Sequence, residues 1–298
     1  MPSSDLSRNP VAVGLVGAGP WARAFHAPVL AAGPETTLAG VWSRRPQAAA
    51  ALAAEFGVPA CGDYAELLGS CEAVAFAVPP DVQARLAVTA ARAGLALLLD
   101  KPVALTVDDA AALAAAVEEA GVVTQLVLTN RFRPAVREFL AQADKLVVTG
   151  ARACQLTGEF LDGTFQHSPW RDRGGILYNT GPHGLDILDT ALGPIEEIRA
   201  AGDPENYLAL TCLHQGGAVS QLALSGKIPG IGRHTVYELY GPHGELRLDF
   251  RDLTGDSAQT RANLRAEFAA AVRTGVSHPI DVRRGLHLQR LMAEVLNL

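Results

Sequence analysis

The stretch VAVGLVGAGPWARAF, residues 11–25, decides the fold. Its first six residues form a short apolar run that leads directly into Gly17-Ala18-Gly19-Pro20-Trp21-Ala22. A run of that length fits a strand buried on both faces, as in a parallel sheet with helices on each side. The first glycine of the turn permits a sharp reversal, and the second lets backbone N–H groups approach a pyrophosphate. The third small position, Ala22, allows helix to pack on strand. Pro20 fits the first helical turn, where its missing N–H costs nothing. Gly17, Gly19, Pro20 and Trp21 are therefore expected to hold the phosphates of a dinucleotide.

Outward from this turn, apolar runs recur at 37–42, 73–79, 95–99 and 122–128, separated by segments of helical period. DVQARLAVTAARAG has Asp81 as its expected N-cap and stops at Gly94. TVDDAAALAAAVEEAG places Thr106 and Asp109 at capping-box spacing, with Gly121 after its end. The alternation predicts a doubly wound α/β domain over residues 8–129. Beyond about residue 130 the pattern changes. A helix, RPAVREFLAQAD, precedes strand material at 145–160, then a loop with Trp170, then GGILYNTGPHGLDILDTALG, which turns helical before Gly193. NYLALTCLH, GAVSQLAL, HTVYELY and ELRLDF follow as closely linked strands, which predicts antiparallel pairing. Two helical patterns close the chain. Residues 130–298 are thus expected to form an α+β domain for substrate binding and oligomerisation on one mainly antiparallel open sheet.

Composition narrows the function. The 298 residues are 49% apolar and 19% charged, with a net charge of −6, which suits buried cores and gives no basic excess for nucleic acid. No apolar run approaches a membrane span, and residues 1–10 are polar, so a cytoplasmic protein is expected. Cys61, Cys71, Cys154 and Cys212 lack metal-ligand spacing and are read as reduced, mostly buried thiols, with no metal.

The second strand ends in Val41-Trp42-Ser43-Arg44-Arg45. An NAD site would present an acidic residue there to the ribose 2′-hydroxyl. A hydroxyl and two guanidinium groups suit a 2′-phosphate instead, a preference of about tenfold to a hundredfold. NADP(H) is the expected cofactor, with NAD(H) as the alternative.

GLVGAGPWARAFHAPVL, AVAFAVPPDVQARLAVTAARAGLALLLDKPVALT, TNRFRP, GGILYNTGPHGLDIL and AVRTGVSHPIDVRRGLHLQRL, in this order, resemble the glucose–fructose oxidoreductase, inositol dehydrogenase and MocA family of NAD(P)-dependent oxidoreductases. The resemblance spans nearly the whole chain. It implies that Val78, Pro79, Asp100, Lys101, Pro102 and Asn130 line the cofactor. The family's Glu-Lys-Pro motif stands here as Asp100-Lys101-Pro102, which gives Lys101 the task of binding the substrate oxygen beside the nicotinamide; Pro102 is a candidate cis-proline. The family's second motif stands as Asn179-Thr180-Gly181-Pro182-His183-Gly184-Leu185-Asp186. His183 takes acid–base duty by this resemblance, and Asp186, one turn on, anchors the helix or orients His183. Asn179 replaces the family's aspartate and can position a hydroxyl but not ionise. Gln83 occupies a position where the family often has histidine. Trp170, Arg171 and Tyr178 are candidate substrate contacts, and His26 is read as a packing residue.

Gly-Pro-His-Gly occurs again at 241–244, between two alternating strands, where it reads as a hairpin turn with His243 in solvent. The resemblance implies an oxidoreductase acting on a sugar, cyclitol or related keto compound, and a homodimer or homotetramer built through the C-terminal sheet. Without a carboxylate at 179, reduction is the expected direction. Two rivals are a catalytically silent dinucleotide-binding regulatory protein and an enzyme that retains its cofactor and cleaves glycosides by transient oxidation.

Overall fold

The computed structural model describes residues 9–162, 174–253, 255 and 257–296. They form two compact units.

The first unit comprises residues up to Val103, Asp108–Val127 and Arg261–Arg284. Its strands are β1 (Val11–Val16), β2 (Thr36–Trp42), β3 (Ala73–Phe76), β4 (Ala96–Asp100) and β5 (Thr124–Val127), in the order β2-β1-β3-β4-β5. All neighbours are parallel. The apolar runs are buried, β3 and β4 along their whole length. Each buried Leu, Val or Phe contributes about 1.5–3 kcal/mol relative to exposure. The connecting helices are α1 (Ala27–Ala31), α2 (Pro46–Phe56), α3 (Tyr64–Gly69), α4 (Pro80–Arg92) and α5 (Val107–Ala120). Gly94 and Gly121 follow α4 and α5 with φ of 81° and 63°, as their capping role requires. Asp81, however, lies within the first turn of α4; the N-cap is Pro79, since Pro80 already fits the helix at N1.

The second unit comprises Ala104–Val107, Leu128–Thr260 and Gly285–Leu298. It contains α6 (Pro134–Leu146), β6 (Gly150–Leu156), α7 (Glu159–Asp162), α8 (Gly175–Asn179), α9 (Gly181–Leu192), β7 (Ile195–Asp203), β8 (Tyr207–His214), β9 (Val219–Ser225), β10 (His234–Gly241) and β11 (Gly244–Asp249). The six strands run β11-β10-β6-β9-β8-β7. Four contacts are antiparallel, but β6 and β9 pair in parallel, so the sheet is mixed. Sequential linkage therefore does not make every neighbour antiparallel: β9 and β10 are separated in the sheet by β6. β7 also exists where no strand is predicted from the sequence. It is an edge strand with two buried residues, Ile195 and Ile198, too few to show an alternating pattern.

The last helices, α10 (Ser257–Thr274) and α11 (Val282–Leu296), divide between the units. Residues 261–284 pack in the first: Arg265 pairs with Glu35 at 2.6 Å, Gln125 donates to the Leu264 carbonyl at 2.9 Å, and the Leu126 N–H donates to the Ile280 carbonyl at 2.7 Å. The units thus do not follow a single break near residue 130. The four cysteines are free thiols; Cys61 and Cys212 are buried, Cys71 and Cys154 half-buried, and burial pushes the Cys212 thiol up to about 11. Among the described residues, no helix is long and apolar enough to cross a membrane.

Candidate functional site

In the first unit the sequence-predicted cofactor residues gather at one edge of the sheet. Gly17 follows β1, Ser43 to Arg45 follow β2, Val78 and Pro79 follow β3, and Asp100 ends β4 with Lys101 and Pro102 directly after it. All are carboxyl ends of parallel strands, and the strand order reverses at β1, the place where such sheets bind ligands. Gly17 has φ of 113°, and a Cβ there would collide with the Ala77 carbonyl, so only glycine serves. At Gly19 a Cβ would meet nothing within 4 Å. Protein packing does not demand glycine at that point, which fits close passage of a ligand over the backbone. Pro20 opens the helix, which passes through a π turn at Ala22–His26. Arg44 and Arg45 are exposed, and neither guanidinium has a partner among the described residues. The residues present fit a dinucleotide.

Asp100 is gripped on every polar atom. Its N–H donates to Gln83 Oε1 at 2.8 Å and its carbonyl accepts from Gln83 Nε2 at 2.9 Å. Oδ1 accepts the Lys101 N–H at 2.8 Å. Oδ2 accepts the Trp21 indole N–H at 2.6 Å and faces His26 Nε2 at 3.1 Å. Gln83, standing where the family often has histidine, thus clamps the motif backbone; the Lys101–Pro102 bond is cis. His26 is not a mere packing residue. Its contact lies 74 residues away in sequence, a distance no local pattern reveals.

In the second unit, α8 and α9 carry the other motif. The carbonyl of Thr180, the N-cap of α9, accepts from the His183 and Gly184 N–H groups at 3.0 and 3.3 Å. Pro182 occupies the first turn of α9, Asn179 is buried and His183 is half-buried. Gly184 lies where a Cβ would be 2.7 Å from Leu222 Cδ2 of β9, so glycine brings the helix close to the sheet. Buried Gln155 of β6 ties the cap to the sheet: with its amide turned to satisfy both atoms, its nitrogen donates to the Thr180 carbonyl at 2.7 Å and its oxygen accepts from the Tyr237 hydroxyl at 2.5 Å. Asp186 is buried and accepts from Arg131 Nη1 at 3.2 and 3.1 Å, while Arg131 also donates to Thr190 Oγ1 at 2.6 Å. This anchors α9, the structural half of its expected role. Asn130 is half-buried in the turn that carries Arg131, and its carbonyl accepts the Arg133 N–H at 3.2 Å. The Tyr178 hydroxyl donates to the Leu105 carbonyl at 3.0 Å, which gives it a structural task. Trp170 and Arg171 lie outside the described residues.

Glu159 was missed by sequence reasoning. Its Oε2 accepts from Asn179 Nδ2 at 3.3 Å and its Oε1 from Arg233 at 2.8 Å. A carboxylate absent from position 179 is therefore present beside it. The signal was Glu159 itself, which follows strand-like sequence, and nothing local ties it to Asn179.

A parallel sheet with a glycine turn at its switch point and a lysine at the end of the fourth strand is the arrangement of a nucleotide-binding fold, and a mixed-sheet unit follows it in the chain. Residues 11–127 match the model of the glucose–fructose oxidoreductase, inositol dehydrogenase and MocA group, described as an oxidoreductase family with an NAD-binding Rossmann fold. D-apiose dehydrogenase of Paraburkholderia graminis is 28% identical over 180 residues, covering 54% of this chain and 47% of the relative. UDP-N-acetylglucosamine 3-dehydrogenase of Acidithiobacillus ferrooxidans is 33% identical over 130 residues, covering 44% and 40%. The match thus spans less than half the length of either curated relative. The crystal structure of GenD2 from gentamicin A biosynthesis, in complex with NAD, superposes with a TM-score of 0.85 at 23% identity over 100% of this chain and 96% of that one. That likeness establishes the fold.

Proposed function

We propose that this protein is an NADP(H)-dependent oxidoreductase that interconverts a carbonyl and a carbinol carbon in a sugar or sugar derivative, working in the reductive direction. The observation that carries the reading is Lys101, held on a fixed backbone at the carboxyl edge of a sheet whose glycine turn is open to a dinucleotide. The names of the relatives, an apiose dehydrogenase and a UDP-N-acetylglucosamine dehydrogenase, support a sugar substrate. Exposed Arg44 and Arg45 support the 2′-phosphate.

A nicotinamide dinucleotide, when bound, supplies or accepts the hydride. The chain's own groups do the rest. The Lys101 ammonium stabilises negative charge on the substrate oxygen, worth the most where water is excluded. His183 delivers the proton that converts alkoxide to alcohol. Asn179 holds a substrate hydroxyl, its amide oriented by Glu159. A carboxylate next to Asn179 favours turnover over the silent regulatory reading, since a site kept only for sensing has no need of it. Self-association through the open sheet face belongs to the same reading: Tyr240 and Val219, in one row on either side of Gly150, are exposed, and a second copy would cover them. Light scattering should then give a multiple of the chain mass.

The test is titration of NADPH and NADH by nicotinamide fluorescence, then a turnover screen with keto-sugars and nucleotide keto-sugars. Tighter NADPH binding, with turnover abolished in Lys101→Ala, is the expected result. Binding without turnover in the wild type, with activity gained in Asn179→Asp, would establish the regulatory reading instead.

A further inference from the structure

The grip on Asp100 joins two parts of the first unit that the sequence keeps far apart. Trp21 stands at the head of the helix after the glycine turn, 79 residues from its acceptor. Its indole stacks on Phe25 at 4.6 Å with the rings parallel to 1°, and Phe25 meets the His26 ring edge-on at 5.5 Å. The His26 side chain is 1% exposed, and its Nδ1 has no hydrogen-bond partner among the described residues. Burying an imidazole is costly unless its polar atoms are matched, and an apolar ring would fill this space at no such cost. Among the described residues, the one polar contact made by the buried ring is to Asp100 Oδ2. A carboxylate only accepts, so Nε2 carries the proton of that contact. The other oxygen of the same carboxylate holds the N–H of Lys101.

We propose that His26 and Trp21 are positioning residues for Lys101: through Asp100 they fix the peptide that presents the lysine, and they lock it to the glycine turn. The inference rests on the proposed role of Lys101. Asp100 is one methylene shorter than the glutamate of the family motif, and two donors on one oxygen, with the Lys101 amide on the other, leave its carboxylate a single arrangement. Loss of either donor frees the carboxylate to rotate and loosens the lysine. Hydride transfer depends steeply on such placement, whereas dinucleotide binding depends on the turn itself.

The test compares His26→Phe, which keeps a ring and removes the donor, with His26→Gln, which keeps a donor, and with Trp21→Phe, which keeps the stack on Phe25. His26→Phe should lower kcat by about tenfold while the dinucleotide KM stays within about twofold, and His26→Gln should recover most of the loss. The second readout needs no turnover. Acetylation of Lys101 by limiting acetic anhydride, measured by peptide mass spectrometry against Lys145 and Lys227, should be at least about threefold faster in His26→Phe and Trp21→Phe, and near wild type in His26→Gln. Unchanged Lys101 labelling in the folded variants overturns the inference. If the wild type reduces no substrate, the proposed function fails but the labelling still decides this point. If His26→Phe does not fold, Trp21→Phe carries the same comparison.

Discussion

The chain contains Gly-Pro-His-Gly twice, and the two copies share nothing but their letters. Residues 181–184 begin α9, with proline in the first turn, histidine half-buried and Gly184 pressed against Leu222. Residues 241–244 join β10 to β11, with Gly241 opposite Gly244, and Pro242 and His243 exposed between them. The glycines serve different needs. In the first copy they admit a helix to a sheet; in the second, Gly244 adopts φ of 129°, and a Cβ on Gly241 would stand 2.6 Å from the Val147 carbonyl. A tetrapeptide takes its role from its flanks: alternating strand residues on both sides make a hairpin, and a helical pattern downstream makes a helix start.

The sharpest way to break this contrast is to remove each histidine. His183→Ala should lower kcat by about 10²- to 10⁴-fold in the reductase assay, the range for loss of a general acid–base group. His243→Ala should leave both rate and melting temperature close to wild type, as surface substitutions usually do. Equal effects would dissolve the distinction. Glycine substitutions come next. Gly184→Ala should cost about 1–3 kcal/mol in denaturant unfolding by overpacking against buried Leu222, and should lower activity because α9 is pushed from the sheet. Gly244→Ala should cost a similar amount through backbone strain, with activity per folded molecule preserved. A third histidine sharpens the comparison at the smallest scale. His214 is buried, with Nδ1 2.7 Å from the Gly193 carbonyl and Nε2 2.8 Å from Ser220 Oγ. Burial lowers its pKa from the ordinary 6.5, outweighing the Gly193 carbonyl, which favours the charged ring. The unfolded chain therefore takes up the proton first. The His214 contribution is complete above about pH 6.5 and is lost as the pH falls below it, so the melting temperature should decline there in the wild type and decline less in His214→Gln.

What could be read in advance followed from local pattern. The five strands of the parallel sheet announce themselves as apolar runs because both faces are buried, and the glycine turn carries its own stereochemical reason. β7 escaped because an edge strand with two inward residues leaves no period to detect. The parallel pairing of β6 with β9 escaped because it depends on which strand is inserted between neighbours in sequence. Of the candidate site residues, Lys101, Asn179 and His183 are visible as motif positions. The groups that orient them are not: Trp21 and His26 reach Asp100 across more than 70 residues, and Glu159 reaches Asn179 across 20. Polar networks are assembled by the tertiary fold, and neither propensity nor hydrophobic period reports them.

The return of residues 261–284 to the first unit has a consequence for modular exchange. β5 is the outer strand of its sheet, and the Leu126 N–H on it is satisfied by the Ile280 carbonyl, while Thr124 Oγ1 accepts the Val282 N–H at 3.0 Å. The parallel-sheet unit is therefore completed by residues 261–284, far along the chain from its strands. A transplant of that domain cut at residue 127 would leave its sheet edge uncovered, with Gln125 and Arg265 parted from their partners. Such a domain is discontinuous as a hereditary unit even though it is continuous as an object, and recombination can move it intact only by moving two stretches of coding sequence together.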